Sequence, residues 1–227
     1  MYMIRAAIFD VDGTLLDTMP VWENAGEIFL KKHGIQAEAQ LGKKLYKMSM
    51  QEGAEYLRSR YGLDISPKGI IDGVAEVVID FYRYEAQFKP GAREFLEALR
   101  AKDIPMAIAT ANEKSTVETA LERLGAGGYF TEILTCSALN TSKMKPDIFM
   151  KAADVLGAHP FEAWVFEDSY HAAKTARDAG FRVAAVYDRY SEDELEQLKQ
   201  AADIYMEEYW DFEKFYKEAF HERQVGI

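Results

Sequence analysis

Ile8-Phe-Asp-Val-Asp-Gly-Thr14 decides how this chain is read. The run from Ile4 to Phe9, interrupted only by Arg5, is apolar and strand-like, and it stops abruptly at Asp10 and Asp12. Gly13 then turns the backbone. Carboxylates one residue apart at a strand end repel each other unless a cation or a shared proton lies between them. Such local frustration persists mainly where chemistry needs it. Asp-Gly is also ordinary turn chemistry, so a plain strand end and turn is the bland reading of the stretch taken alone. Its partners elsewhere in the chain discriminate.

Outward from that stretch, short apolar runs alternate with longer amphipathic ones. Strands are expected over 5–9, 105–109, 132–136, 163–166, 182–186 and 204–206, and helices over 92–102, 115–124, 146–156 and 170–179. This alternation predicts an α/β fold: a Rossmann-like parallel sheet flanked by helices on both faces. Gly125, Gly157 and Gly180 stand just past the ends of three of these helices, as helix-closing glycines do.

From about Thr18 to Gln87 the alternation stops. Only helical periodicity remains, over 21–33, 43–61 and 67–85, punctuated by Gly34 and Gly62. The borders fall near Met19-Pro20 and Phe88-Lys-Pro-Gly91, where proline and glycine favour a reversal or hinge. The expectation is a core of residues 1–17 and 88–227 with an inserted all-helical cap domain of residues 18–87. Trp22, Met48 and Met50 are expected to pack among the cap helices rather than face a cleft. The tail is acidic and helical over 191–202 and 210–221.

A chain of 227 residues with 48% apolar residues supports a sizeable core, and a net charge of −11 argues against nucleic acid or an anionic membrane as partner. It does not exclude a small anionic substrate, because local cations and a metal reverse the potential inside one cleft. Cys136 is the sole cysteine, which rules out an internal disulfide and fits a reducing compartment. It lies in an apolar run far in sequence from any histidine and reads as a buried structural thiol. His33, His159, His171 and His221 show no metal-ligand spacing. With no secretory pattern and no apolar run near the roughly 20 residues of a membrane span, a cytoplasmic protein is expected, as monomer or homodimer.

The chemistry-bearing residues fall at the carboxyl ends of the expected strands, where ligands bind in open α/β sheets. Asp10 and Asp12 follow the first strand, Thr110 the second, and Glu167 and Asp168 the fourth; Lys143 stands just ahead of the helix that opens at Pro146. Asp10, Asp12 and Asp168 are hard oxygen donors suited to Mg²⁺. The Thr110 hydroxyl, the backbone N–H groups that follow at Ala111 and Asn112, and the Lys143 charge would cradle a phosphoryl group. A carboxylate can attack phosphorus, and no His–Ser or His–Cys pairing offers another nucleophile.

These residues resemble the haloacid dehalogenase superfamily over nearly the whole chain. Its first motif, DxDGT, stands as Asp10-Val-Asp-Gly-Thr14, and its second as Thr110-Ala-Asn112. The third matches Lys143-Met-Lys-Pro-Asp-Ile-Phe149, and the fourth Glu167-Asp-Ser169 through Ala179-Gly180. The insertion after the first motif is similar to the helical cap of the subgroup containing β-phosphoglucomutase and phosphoglycolate phosphatase. The resemblance implies Asp10 as nucleophile and metal ligand, and Asp12 as acid and base with its backbone carbonyl on Mg²⁺. It also implies Asp168 as the remaining protein ligand, Glu167 as an outer one, and Thr110 and Lys143 on the phosphoryl oxygens. Met144 replaces a usual proline, which leaves Lys145 as the alternative lysine, and Ala172 replaces a common glycine.

The implied activity is a Mg²⁺-dependent phosphatase acting on a small phosphorylated metabolite, a sugar or polyol phosphate, through an aspartyl-phosphate. The first alternative is a β-phosphoglucomutase-like phosphomutase. Mutases of this kind carry a cap histidine where this chain has Trp22 and a cap arginine where the run Lys47-Met-Ser-Met50 places methionine. Both changes favour hydrolysis, while Lys43, Lys44 and Lys114 offer a substitute cation that keeps the mutase reading open. The remote alternative is a response-regulator-like phospho-accepting module, against which the D-x-D spacing and the long insertion both speak.

Overall fold

The six apolar runs become six parallel strands of one sheet: β1 (Ala6–Phe9), β2 (Met106–Thr110), β3 (Glu132–Thr135), β4 (Ala163–Glu167), β5 (Arg182–Val186) and β6 (Ile204–Met206). Their spatial order is β3-β2-β1-β4-β5-β6, with Phe9 in register with Ile108 on one side and Phe166 on the other. The computed structural model describes residues 4–45, 48–209 and 211–221. The chain divides into two compact units, Met1–Asp17 with Gln87–Ile227, and Thr18–Ala86.

Side chains alternate across the sheet, and the two faces solve packing differently. One face presents small and branched residues, among them Ala6, Ile8, Ala107, Val165 and Val183. They form one core with α7 (Asp147–Leu156), α8 (Tyr170–Asp178) and α9 (Leu195–Ala201). The other face is aromatic. Phe9 and Phe166 stack at 4.3 Å, with Phe95 of α5 (Ala92–Ala101) and Phe215 of α10 (Phe212–His221) at 5.4 and 5.5 Å from Phe166. Strands β1, β2 and β4 are buried on both faces, which is why they read as unbroken apolar runs rather than alternating ones. Helix α6 (Lys114–Arg123) completes the unit, and α6 and α7 are followed by Gly125 and Gly157 at positive φ.

The connections toward the other unit run side by side. Gly13, at φ 77°, reverses the chain after Asp12, and Leu16 then pairs antiparallel with Phe88. The Asp17 N–H donates to the Gln87 carbonyl at 3.0 Å and the Lys89 N–H to that of Leu15 at 2.9 Å. Gly91 serves a close approach: its φ is +77°, and a Cβ there would stand 2.6 Å from the Tyr209 carbonyl oxygen.

The Thr18–Ala86 unit consists of α1 (Met19–Lys32), α2 (Leu41–Leu45), α3 (Met50–Tyr61) and α4 (Pro67–Tyr84). Helices α1 and α4 bury Val21, Phe29 and Leu30 against Ile70, Val77 and Tyr82. Gly73 admits the Phe29 ring where any Cβ would lie 2.5 Å from it. The single helix expected over 43–61 is corrected to two, because Ser49 and Glu52 form a reciprocal capping box that starts a new helix. Tyr46 and Lys47 lie outside the described residues. The packing expected of Trp22 and Met50 is also corrected: their relative exposures are 46% and 62%, while Met48 is half-buried. Trp22 is fixed by its indole N–H, which donates to the Tyr82 hydroxyl at 3.2 Å.

In the tail, the helix expected over 191–202 begins as a 3₁₀ turn, Arg189–Glu194, before α9. The last helix starts at Phe212, and Trp210 lies outside the described residues. Among the described residues no helix is long and apolar enough to cross a membrane.

Candidate active site

From β1 the chain moves to β2 and β3 on one side of it, then crosses to β4 on the other. Sheets of this type open a crevice at the carboxyl edge where strand order reverses. Asp10 is held there by its own backbone, the N–H donating to the Phe166 carbonyl of β4 at 3.0 Å. Glu167 is the last residue of β4 and Asp168 follows it. One oxygen from each of Asp10, Glu167 and Asp168 lies within 4.8 Å of the others, and all three residues are buried.

Lys143 enters this cluster from the loop before α7. Its side chain is 14% exposed and its ammonium pairs with Asp10 and, at 2.5 Å, with Glu167 Oε1. Lys145 is exposed, so of the two lysines Lys143 is the one brought to the carboxylates. With two of its three N–H donors on carboxylates, one donor remains for an incoming oxygen. Burial alone would lower the Lys143 pKa, but the charges of Asp10 and Glu167 outweigh it and hold the ammonium protonated.

The carboxylates feel the opposite pressure. Burial, and then the Asp10 charge, push Asp168 up to about 7 against partial relief from Lys143 and a Thr14 hydrogen bond. Burial drives Glu167 well above the usual carboxylate range, with Lys143 again opposing. Three acidic groups thus face one ammonium, and Glu167 Oε2 is buried with no hydrogen-bond partner. An all-oxygen donor set with more carboxyl groups than ammonium groups, and with an orphaned carboxyl oxygen, fits a hard divalent cation.

The other expected site residues form a second chain of contacts. Asp12 is half-buried and its Oδ2 accepts from the Asn112 side-chain amide at 3.1 Å. The Asn112 backbone N–H donates to Thr110 Oγ1 at 3.0 Å, and Thr110 itself is fully buried at the end of β2. Ala111 is exposed between them. Cys136, one residue past β3, is buried, and that burial raises its thiol pKa, as a structural rather than nucleophilic cysteine requires.

Two hydroxyls not singled out from the sequence complete the Asp168 environment. Thr14 Oγ1 donates to Asp168 Oδ1 at 3.1 Å and Ser191 Oγ to Oδ2 at 3.3 Å. Thr14 closes the stretch 8–14, so its place beside the paired carboxylates is the sequence signal for it. Ser191 lies five residues past β5, inside the 3₁₀ turn Arg189–Glu194, with no motif to mark it.

A family model described as haloacid dehalogenase-like hydrolase matches residues 7–186. A phosphorylated carbohydrates phosphatase of Thermotoga maritima is 27% identical over 177 residues, covering 78% of this chain and 82% of that protein. A fructose-1-phosphate phosphatase of Escherichia coli is 28% identical over 173 residues, covering 76% of this chain and 91% of the relative. Among solved structures, a putative beta-phosphoglucomutase from Thermotoga maritima superposes with a TM-score of 0.79 at 24% identity, over 98% of this chain and all (100%) of that one. That last likeness is one of fold.

Proposed function

We propose, since this chain belongs to the haloacid dehalogenase-like hydrolase family, that it is a Mg²⁺-dependent phosphatase of small phosphorylated metabolites, with sugar or polyol phosphates as substrates. One observation carries the reading: Asp10, Glu167 and Asp168 gather around Lys143 at the carboxyl edge of the sheet, with more acid than base. The sugar or polyol preference is supported by the relatives that act on phosphorylated carbohydrates and on fructose 1-phosphate. Catalysis is assigned to the core of residues 1–17 and 88–227, and substrate selection to the helical cap of residues 18–87.

In this reading Asp10, Asp168 and the Asp12 backbone carbonyl would hold the cation, with Glu167 as an outer partner. When bound, Mg²⁺ neutralises charge on the carboxylates and on the phosphoryl oxygens. A carboxylate oxygen of Asp10 forms a bond to phosphorus while the bond from phosphorus to the substrate's bridging oxygen breaks. Asp12, protonated, gives its proton to the departing alkoxide. The Asp12 carboxylate then takes a proton from water, whose oxygen attacks the aspartyl-phosphate; the bond to Asp10 breaks and inorganic phosphate leaves. The Asn112 amide fixes the Asp12 carboxylate for both transfers. The remaining Lys143 donor and the Thr110 hydroxyl, with the Ala111 and Asn112 segment, hold the phosphoryl oxygens, where they stabilise charge that grows in the transition state.

The test is phosphate release from a panel of sugar, polyol and nucleoside monophosphates, with Mg²⁺ and with EDTA. Turnover is expected on sugar or polyol phosphates, and chelation should stop it reversibly. Asp10→Asn should lower kcat by at least about 10⁴-fold while leaving the fold intact by circular dichroism. An Asp10→Asn variant that keeps most of its activity overturns the assigned nucleophile. Isomerisation of β-glucose 1-phosphate that depends on glucose 1,6-bisphosphate, without net phosphate release, would establish the mutase instead.

A further inference from the structure

We propose that Lys89 is a positioning residue for Asp168: it closes a ring of hydrogen bonds that aims this carboxylate at the divalent cation. The inference rests on the metal assignment above. Lys89 stands where the chain returns from the helical insertion, beside Pro90 and Gly91. A lysine at such a reversal is ordinarily a solvated charge, yet this side chain is 12% exposed and its salt-bridge partner Asp188 only 5%.

Its ammonium donates to the Gly13 carbonyl at 2.7 Å, the Tyr187 carbonyl at 2.6 Å and Asp188 Oδ2 at 2.8 Å. An ammonium has three N–H donors, and all three are engaged. Lys89 therefore has none left for a substrate, in contrast to Lys143. What it does instead is join two loops. The first is the turn after Asp12, where Thr14 follows Gly13 and places a hydroxyl on Asp168 Oδ1. The second follows β5, where Asp188 folds the backbone by accepting from Tyr190 N–H at 2.9 Å through its side chain and from Ser191 N–H at 3.0 Å through its carbonyl. That fold presents the Ser191 hydroxyl to Asp168 Oδ2. The circuit runs from Lys89 through Gly13 and Thr14 to Asp168, then through Ser191 and Asp188 back to Lys89.

Asp168 needs this support. Both its oxygens are held by hydroxyls from outside the sheet, one on the turn after Asp12 and one on the short 3₁₀ turn Arg189–Glu194. Outer partners that orient a metal-binding carboxylate matter to affinity even though they never touch the ion, and their loss typically weakens binding by about 10–100-fold. Asp188 also bears on Asp168 through its charge, and Lys89 pairs with that charge while it ties the two segments together.

The experiment measures Mg²⁺ binding to the EDTA-stripped full chain by titration calorimetry, and Mg²⁺ dependence of phosphate release, for wild type and Lys89→Met. The variant is expected to bind Mg²⁺ about 10-fold or more weakly, to recover its rate at saturating Mg²⁺, and to keep its KM for the phosphate ester. Arg182→Met serves as the comparison. It breaks another half-buried ion pair, with Asp203 at 2.7 Å, at the amino end of β5, and should cost stability while leaving Mg²⁺ affinity alone. Wild-type Mg²⁺ affinity in Lys89→Met overturns the proposal, as does an equal loss in Arg182→Met. If Lys89→Met does not fold, Ser191→Ala removes one link of the ring; weaker Mg²⁺ binding supports the proposal and unchanged binding overturns it. A wild-type protein that binds no Mg²⁺ overturns the metal assignment itself, which separates that failure from the failure of the ring.

Discussion

Burial and the neighbouring Asp10 charge raise Asp168 to about 7, against 3.8 for the free side chain. The folded, metal-free protein therefore holds a proton on Asp168 that the unfolded chain gives up. The resulting stability is fully present below about 3.8 and is lost as pH rises through about 7. The melting midpoint of the EDTA-treated protein should accordingly fall between pH 5 and pH 8. For a chain of this size each kcal/mol corresponds to about 2–4 °C, so a drop of several degrees is expected. Mg²⁺ competes with that proton and should flatten the slope; a midpoint that rises with pH in EDTA contradicts the assignment. At this scale the sequence was readable where an acid ends an apolar run, as at Asp10 and Asp168. The same signal marks Asp188, two residues past β5, and went unused because it has no motif around it. Lys89 carried no signal at all, since its role exists only once distant loops meet.

Elements were legible in proportion to how local their causes are. Strands buried on both faces announce themselves as continuous apolar runs, and β5 and β6 occupy the expected positions residue for residue. The break between α2 and α3 was hidden because helical periodicity continues through it, although the Ser49-x-x-Glu52 signature was present. Replacing Ser49 by alanine removes the acceptor for the Glu52 N–H and should cost about 1 kcal/mol. Thermal melting of Ser49→Ala checks this, and an unchanged midpoint would mean that packing rather than the cap sets where α3 begins. The exposure of Trp22 and Met50 illustrates the limit of periodicity. It says which residues share a helical stripe, but not whether that stripe meets a neighbour.

Over the whole molecule, the order β3-β2-β1-β4-β5-β6 brings residues from positions 10 to 168 into one cluster, and strand–helix alternation was enough to foresee a sheet that does so. What alternation does not encode is the pairing of Leu16 with Phe88, a contact between two connections that neither reveals alone. Seen from the α/β core, everything from 18 to 86 is the content of a hairpin loop whose stem is already zipped. Loop length adds only logarithmically to the entropy of closing such a stem, and a two-residue Asn-Gly turn closes one equally well. A shortened chain with that turn in place of 18–86 should still melt cooperatively and retain parallel-sheet circular dichroism. By this logic the splice point between 17 and 87 takes inserted units as interchangeable parts, because the stem that holds them belongs wholly to the α/β chassis.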